Sequence, residues 1–319
     1  MISRIAHSEA EITFLYNVRI NSKVRMNRLL SNINQVSSLE AFPISLRVRG
    51  VFAEDVAQAV NVDNLVLNNS QSDVSWKLNL LEQVLNSSSK YFVLMQEDHS
   101  LVCDGNSLIN ALVEFKNLNL DFMPLSFLPQ YNPLVNLFGA NGLSFKHSGN
   151  IKYMHIDRKI AKKLKKNDNY LISLVGIFRR ELLIKVLLSP HPFIKYFAAD
   201  TPFDMEQRPS QKWFLPINWA LPLHEIFGCI DDDHGVEGYS LISRGLHVND
   251  AERIIDHHNT DELGKIQSLI IRLNSAKLLK LFRICKYTMV GLVDSFIHKK
   301  HLSLLAKDVH ASTKSNGLE

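Results

Sequence analysis

The feature that most constrains the fold of this chain is an unbroken apolar run that ends in a polar cluster. The run is Tyr91-Phe-Val-Leu-Met95, and Gln96-Glu-Asp-His99 follows it directly. A short, continuous apolar run is typical of a strand that is buried on both faces, as in a parallel sheet. Ligands of open α/β sheets bind just outside the carboxyl ends of the strands, and an acidic cluster there can hold a divalent cation and, through it, a diphosphate. An acidic pair alone is also compatible with a solvated turn.

Composition excludes several classes of protein. The 319 residues are 46% hydrophobic and 21% charged, as in an ordinary globular protein. A net charge of +4 is too small to predict a nucleic-acid partner. The three cysteines, Cys103, Cys229 and Cys285, match neither a disulfide framework nor a zinc motif and indicate a reducing compartment. No apolar run approaches the roughly 18 residues of a membrane span and no signal peptide is evident, so we expect a cytoplasmic protein.

Strand and helix patterns alternate along the first part of the chain. Strands are predicted at 11–20, 42–50, 63–69 and 91–95, with helices at 22–36, 52–60 and 74–85 between them. Such alternation with short connections predicts an α/β fold, a mostly parallel sheet flanked by helices. The glycine-rich loops of dinucleotide-binding and P-loop proteins are absent.

The rest of the chain divides into a continuation of this domain and a different C-terminal region. A helix is predicted at 107–117, strands at 121–128, 151–156 and 170–178, a basic helix or turn at 158–166, a helix at 179–188, and loops at 129–150 and 190–240. The folded domain is predicted to span 1–245. Region 246–319 has apolar residues at helical spacing between lysines and arginines, which predicts basic amphipathic helices. These would lie on an anionic membrane surface or pack against protein.

Three acidic clusters are candidates for chemistry. They are Glu97-Asp-His99, Asp204-Met-Glu206 and Asp231-Asp-Asp-His234. Mg²⁺ and Mn²⁺ prefer carboxylate oxygens, and Mn²⁺ also accepts imidazole, so Asp98, His99 and His234 are the candidate metal ligands. Asp204 or Glu206 can act as a general base, although acids at that spacing also suit the first turn of a helix.

Polar residues near the ends of the first three predicted strands are candidate nucleotide contacts. If these strands are neighbours, the residues border one crevice and meet a base, ribose or phosphate. Arg179, after the predicted strand 170–178, is a further candidate for the diphosphate, together with Glu97 and Asp98. The residues near the first three strands are Asn17, Arg19, Arg47, Arg49 and Asn69.

The order of these features resembles a bacterial glycosyltransferase of the GT-A fold, similar to the family 2 type. The likeness covers about residues 10–245 and rests on 13–36, 91–99, 170–188 and Asp204-Met-Glu206. In that family an Asp-x-Asp motif binds metal and diphosphate, and a later acidic motif supplies the base. By position, Glu97-Asp-His99 takes the first role here, and Asp204 or Glu206 takes the second. His99 stands where the family has aspartate, and the family's Gln-x-x-Arg-Trp signature is not present as such.

The resemblance implies a nucleotide-sugar donor, Mn²⁺ or Mg²⁺, and inversion at the anomeric carbon. It implies a glycan or lipid-linked glycan acceptor in bacterial surface polysaccharide synthesis, lipopolysaccharide included, with contact at the inner-membrane surface. Two alternatives stay open. One is a catalytically degenerate protein that binds sugar nucleotide or glycan, in keeping with the missing Asp-x-Asp. The other is a nucleotidyltransferase, whose usual glycine-rich loop is not matched by Asn21-Ser-Lys-Val-Arg25.

Overall fold

The computed structural model describes residues 11–67, 76–126, 145–165, 171–188, 205, 214–232 and 238–248. They all belong to one compact unit, formed by Met1–Pro190 and Asp200–Glu252. The predicted C-terminal helices lie outside the described residues. Four predicted site residues lie outside them too: Asn69, Asp204, Glu206 and His234.

The first part of the described chain alternates between strand and helix as predicted. The elements are β1 (Ile12–Arg19), α1 (Lys23–Ser37), β2 (Ile44–Arg49), α2 (Ala53–Ala59), β3 (Asn64–Leu67), α3 (Trp76–Asn86) and β4 (Tyr91–Met95). Each lies within or close to its predicted range. All five residues of β4 are buried, which confirms the interpretation of the apolar run.

The second part departs more from the sequence patterns. It contains β5 (His99–Leu101), α4 (Gly105–Asn117), β6 (Phe122–Pro124), β7 (Lys146–His147), β8 (Ile151–Ile156), α5 (Arg158–Lys165), β9 (Gly176–Arg179), α6 (Arg180–Leu187), β10 (Ile217–Pro222) and β11 (Phe227–Cys229). The strand predicted at 170–178 is wrong over 171–175, where the chain is mostly buried but does not pair as a strand. Strands β10 and β11 lie in a stretch that was predicted as loop.

Nine of the described strands form one sheet in the order β3-β2-β1-β4-β9-β6-β10-β8-β7. The pairs β2–β3, β1–β2, β1–β4 and β6–β10 are parallel. Strand β9 is antiparallel to both β4 and β6, and β8 is antiparallel to β10 and β7. The predicted fold class, an α/β domain with a central sheet flanked by helices, is confirmed; the sheet is mixed, and its parallel pairs include all those among the first four strands.

Apolar side chains cover both faces of this sheet. Successive residues of β1 point to opposite faces, so that Phe14 and Tyr16 join one layer and Leu15 the other. The first layer includes residues of α1, α2 and α4, and the second includes residues of α3 and α6. Each fully buried large aliphatic side chain stabilises the fold by about 1.5–3 kcal/mol. Because apolar layers cover both faces of the sheet, the sequence of β4 does not alternate between apolar and polar residues. None of the described helices is long and apolar enough to cross a membrane.

Candidate active site

The polar turn after β4 lies at the carboxyl edge of the sheet, as the sequence predicted. The chain leaves β4 at Met95, turns through Glu97 and Asp98, and enters the short strand β5 at His99. Strand β5 pairs antiparallel with β11, and this pairing sets Cys229 opposite His99. Just beyond β11, the backbone N–H of Ile230 donates to the Asp98 carbonyl at 2.7 Å. The structure therefore brings the first and third predicted clusters, 97–99 and the described part of 231–234, to one place.

A polar stripe on α1 holds this turn in position. Residues Arg25, Arg28, Asn32 and Gln35 recur at spacings of three and four, which places them on one face of a helix. The Arg25 guanidinium contacts Glu97 Oε1 at 2.5 Å, and Arg28 Nη1 donates to Asp231 Oδ2 at 2.6 Å. Ser22 caps the start of helix α1, and its side chain accepts a hydrogen bond from the N–H of Arg25.

Asn32 is the buried centre of the stripe. It is 1% exposed, and its Nδ2 donates to the His99 carbonyl at 2.6 Å. Its Oδ1 accepts a hydrogen bond from the Tyr16 hydroxyl, also at 2.6 Å. One turn further on, Gln35 Oε1 accepts from the N–H of Leu101 at 3.1 Å. Because buried polar groups are costly when unpaired, these bonds fix the backbone of the turn against α1 and β1. Helix α1 was predicted from its apolar residues alone, and the regular spacing of these polar residues was the signal that could have revealed the stripe.

The two carboxyl groups of the turn differ in their environment. Burial, together with the charge of Asp98, raises the pKa of Glu97 to about 7, although Arg25 acts in the opposite direction. Burial also tends to raise the pKa of Asp98, but the adjacent His99 and Arg25 hold it below its ordinary value. The Asp98 side chain is 39% exposed and that of Glu97 only 5%. Asp98 is therefore the charged carboxylate that a ligand at this edge can reach.

Three potential metal ligands converge beside the turn. One donor atom each from Asp98, His99 and Cys229 lies within 4.8 Å of the other two. His99 Nδ1 and Asp98 Oδ1 are 2.7 Å apart. Burial, and next the charge of Asp98, raises the pKa of the Cys229 thiol. The sequence predicted Asp98 and His99 as ligands but not Cys229, whose position two residues before the acidic cluster at 231–233 was the available signal.

The arginines and asparagines of β1 and β2 divide into two groups. Asn17 and Arg47 are buried and bind α3: Asn17 Nδ2 donates to the Trp76 carbonyl at 2.8 Å, and Arg47 Nη1 donates to Glu82 at 2.7 Å. Both therefore fasten α3 to the sheet. Arg19 and Arg49 are partners in the β1–β2 register at the carboxyl edge, and Arg19 is exposed. The predicted neighbourhood of β1 and β2 is confirmed, and Arg19 and Arg49 stay predicted ligand contacts.

Arg179 does not lie at this edge. It pairs with Tyr91, the first residue of β4, and forms an ion pair with Asp121 at 3.2 Å. Its Nε also donates to the Leu120 carbonyl at 3.3 Å. The prediction for Arg179 assumed that its strand runs parallel to β4. Because β9 is antiparallel to β4, the carboxyl end of β9 lies at the opposite edge of the sheet. The structure thus does not bring Arg179 together with Glu97 and Asp98.

Comparisons with known proteins are distant. No family model and no curated protein matches the chain. Residues 1–349 of TarS from S. aureus are similar at 10% identity and a TM-score of 0.41, over 68% of this chain and 59% of that one. Glucosyl-3-phosphoglycerate synthase from Mycobacterium tuberculosis, crystallised with Mn²⁺ and UDP-glucose, has 14% identity and a TM-score of 0.34, over 54% and 57%. The bifunctional IspDF of Campylobacter jejuni has 14% identity and a TM-score of 0.32, over 60% and 46%.

The chain spans less than two thirds of the length of each of these three structures. Likenesses at these identities and TM-scores carry no argument about chemistry. The function of the chain is therefore inferred from its own residues.

Proposed function

We propose that the protein is a glycosyltransferase that moves a sugar from a nucleotide-sugar donor to a hydroxyl of a glycan or lipid-linked acceptor. The observation that carries this proposal is the acidic turn at 97–99 at the carboxyl end of β4, where Arg25 of α1 pairs with Glu97 and Arg28 of the same helix pairs with the neighbouring Asp231. Ligands bind at this edge in open α/β sheets. Carboxylates there can hold a cation, and guanidinium groups can bind a diphosphate.

Two kinds of positive charge are available for the leaving diphosphate. Arg25 and Arg28 lie beside the turn, each held by a carboxylate partner at 2.5–2.6 Å. Fixed cations that face developing negative charge lower the barrier to departure of the leaving group. Asp98 and His99 would hold the divalent cation that the resemblance implies, and such an ion supplies further charge stabilisation when bound. A carboxylate and an imidazole suit Mn²⁺ better than Mg²⁺.

The base in this proposal is Asp204 or Glu206, both outside the described residues. Met205, which lies between them in the sequence, is 1% exposed and belongs to the apolar layer that includes Trp219. One base and one displacement would invert the anomeric configuration.

The test measures the release of nucleoside diphosphate from a panel of sugar nucleotides, with and without Mn²⁺. We expect turnover with one donor and an acceptor, and its loss in Asp204→Asn or in Glu206→Gln. Lys116→Gln, in an exposed ion pair with Glu11, is the matched control and should keep full activity. Full transfer by both acidic variants would refute the base assignment. Binding of a donor without turnover would favour the alternative of a catalytically degenerate binding protein. The presence of His99 in place of aspartate is also compatible with that alternative.

The same assay separates the transferase from a nucleotidyltransferase. A nucleotidyltransferase would release pyrophosphate from a nucleoside triphosphate, whereas a glycosyltransferase releases nucleoside diphosphate from a sugar nucleotide. Release of pyrophosphate by the wild-type protein, dependent on Asp98, would replace our proposal with this alternative.

A role at the inner-membrane surface, in synthesis of a bacterial surface polysaccharide such as lipopolysaccharide, completes the proposal. It rests on the sequence of the region 246–319, in which basic and apolar residues alternate at helical spacing. We expect the full chain to sediment with anionic liposomes and a chain without 264–319 to stay in solution. Equal sedimentation of both would remove the membrane role and leave the transferase proposal intact.

A further inference from the structure

We infer that the site selects a transition ion with affinity for thiolate, such as Zn²⁺ or Co²⁺, over Mg²⁺, with Cys229 as a third ligand beside Asp98 and His99. This inference concerns the site on which the proposed function rests. Its evidence is the donor set itself, and its test requires no sugar transfer.

The geometry of the three donors suits one small ion. The donor atoms of Asp98, His99 and Cys229 all lie within 4.8 Å of one another. Tetrahedral ligands at about 2.0–2.3 Å from a zinc ion are roughly 3.3–3.8 Å apart, so adjustment of the side chains is sufficient. Three protein ligands leave a fourth position open for water or for a diphosphate oxygen.

The backbone holds these ligands in place from two sides. Pairing of β5 with β11 sets His99 opposite Cys229, and Ile230 N–H donates to the Asp98 carbonyl at 2.7 Å. Asn32 binds the His99 carbonyl at 2.6 Å from the other side. A site whose ligands are positioned before the ion binds loses little conformational entropy on binding.

The chemistry of the donors explains the selectivity. Mg²⁺ requires near-octahedral oxygen ligands, whereas thiolate and imidazole favour Zn²⁺ and its neighbours. Two nearby carboxylates that could have supplied oxygen are ion-paired: Glu97 with Arg25, and Asp231 with Arg28. The nearest partner of Asp98, by contrast, is His99, another member of the donor set, at 2.7 Å. The donor set is therefore one oxygen, one nitrogen and one sulfur.

The experiment is titration of the full-length, chelator-treated protein with Co²⁺ in the absence of any donor. A Cys103→Ser/Cys285→Ser variant keeps Cys229 as its single cysteine and serves as the reference. We expect an ultraviolet thiolate-to-cobalt charge-transfer band in the reference and in the wild type. Zn²⁺ should abolish the band at stoichiometric concentration, whereas a large excess of Mg²⁺ should leave it unchanged.

Substitution of the ligands completes the test. Adding Cys229→Ser should remove the band and weaken Co²⁺ binding by about 100-fold or more, since loss of a group that only hydrogen-bonds to a metal ligand already costs about 10–100-fold. Because Cys229 is buried, His99→Gln is the second variant, and it should weaken binding by a similar factor while a thiolate band persists at saturation. Circular dichroism of each variant checks that it is folded.

Three results would overturn the inference: no band in the wild type, an unchanged band after loss of Cys229, or displacement of Co²⁺ by Mg²⁺ at equal concentration. The outcome is separable from that of the proposed function. A Cys229-dependent band without sugar transfer would refute the transferase alone, whereas sugar transfer without such a band would refute the metal inference alone.

Discussion

The two ends of β4 each carry an arginine paired with a carboxylate, yet they differ in what surrounds the pair. At the amino end, beside Tyr91, Arg179 binds Asp121 at 3.2 Å, with the side chains 20% and 18% exposed. Backbone carbonyls of the chain before β6 accept the remaining hydrogen bonds of this guanidinium. At the carboxyl end, Arg25 binds Glu97 at 2.5 Å.

The difference lies in how the acidic groups are arranged. At the amino end each carboxylate has its own cation, Asp121 with Arg179 and Glu11 with Lys116, whereas the carboxyl end gathers Glu97, Asp98 and Asp231 within reach of two arginines and His99. Burial, and next the like charge of Asp98, raises the pKa of Glu97. An ion pair alone therefore does not indicate a functional site; crowded, partly buried charges at a ligand-binding edge do.

The largest effect on this comparison is expected from Asp98→Asn. The change removes the exposed carboxylate of the turn while it preserves the shape of the side chain. If the proposed transferase depends on a cation there, the rate of nucleoside diphosphate release should fall by about 100-fold or more, because fixed charge at the leaving group is a major source of catalysis. Steady-state rates at saturating donor provide the measurement. A rate within about twofold of the wild type would place the site elsewhere.

The second prediction concerns the support of the turn. Asn32→Ala leaves the Tyr16 hydroxyl and the His99 carbonyl without their present partner. Each unsatisfied buried group costs about 1–3 kcal/mol, so the free energy of unfolding should fall by about 2–4 kcal/mol. Urea denaturation measures this change. Asn34→Ala, at an exposed position of the same helix, is the control and should shift stability by less than about 0.5 kcal/mol. Equal effects of the two changes would contradict the assigned role of Asn32.

The third prediction uses the raised pKa of Glu97. Its native pKa is about 7, against an ordinary value of 4.5, so between these pH values the native state binds more protons than the unfolded state. Stability from this group is therefore present at low pH and is lost as pH rises toward 7. Relative to Glu97→Gln, the wild type should lose up to roughly 3 kcal/mol over this range, at about 1.36 kcal/mol per pKa unit. Parallel stability curves for the two proteins, from urea unfolding at pH 4.5–8, would refute the shift.

The smallest effect is expected at the amino end of β4. Arg179→Gln removes a partly exposed ion pair, and such pairs contribute about 1 kcal/mol or less. Thermal unfolding should show this loss, whereas kcat and KM for the donor should stay unchanged. A rise of tenfold or more in the donor KM would return Arg179 to the diphosphate site and remove the contrast between the two ends of β4.

The sequence predicted well the part of the fold in which buried strands alternate with helices along the chain. β4 was evident because both of its faces are covered, and α1 because its apolar residues recur at helical spacing. β10 was missed, although it is almost entirely buried, because its sequence Ile217-Asn-Trp-Ala-Leu-Pro222 contains both an asparagine and a proline. Its identity as a strand depends on pairing with β8, which no local pattern reveals.

Only part of the candidate site was predicted from the sequence. Asp98 and His99 were visible because they follow a buried strand directly. Cys229 reaches them only through the β5–β11 pairing, a contact between residues about 130 positions apart in the sequence, which sequence periodicity does not encode. Arg179 was misplaced because hydrophobicity does not distinguish a parallel from an antiparallel strand at the centre of a sheet.

The position of β9 also has a consequence for how the chain is made. This strand lies between β4 and β6 and supplies the second edge partner of β4, but it comes more than 80 residues later in the sequence. During synthesis β1 can already pair with β2 and with β4, while the backbone N–H and C=O groups on the other edge of the apolar strand β4 stay unpaired by β9 until Gly176–Arg179 leaves the ribosome. Unpaired edges of apolar strands favour association between chains. A chain that stops before residue 176 should therefore aggregate, and a nascent chain of that length is where a chaperone would be needed.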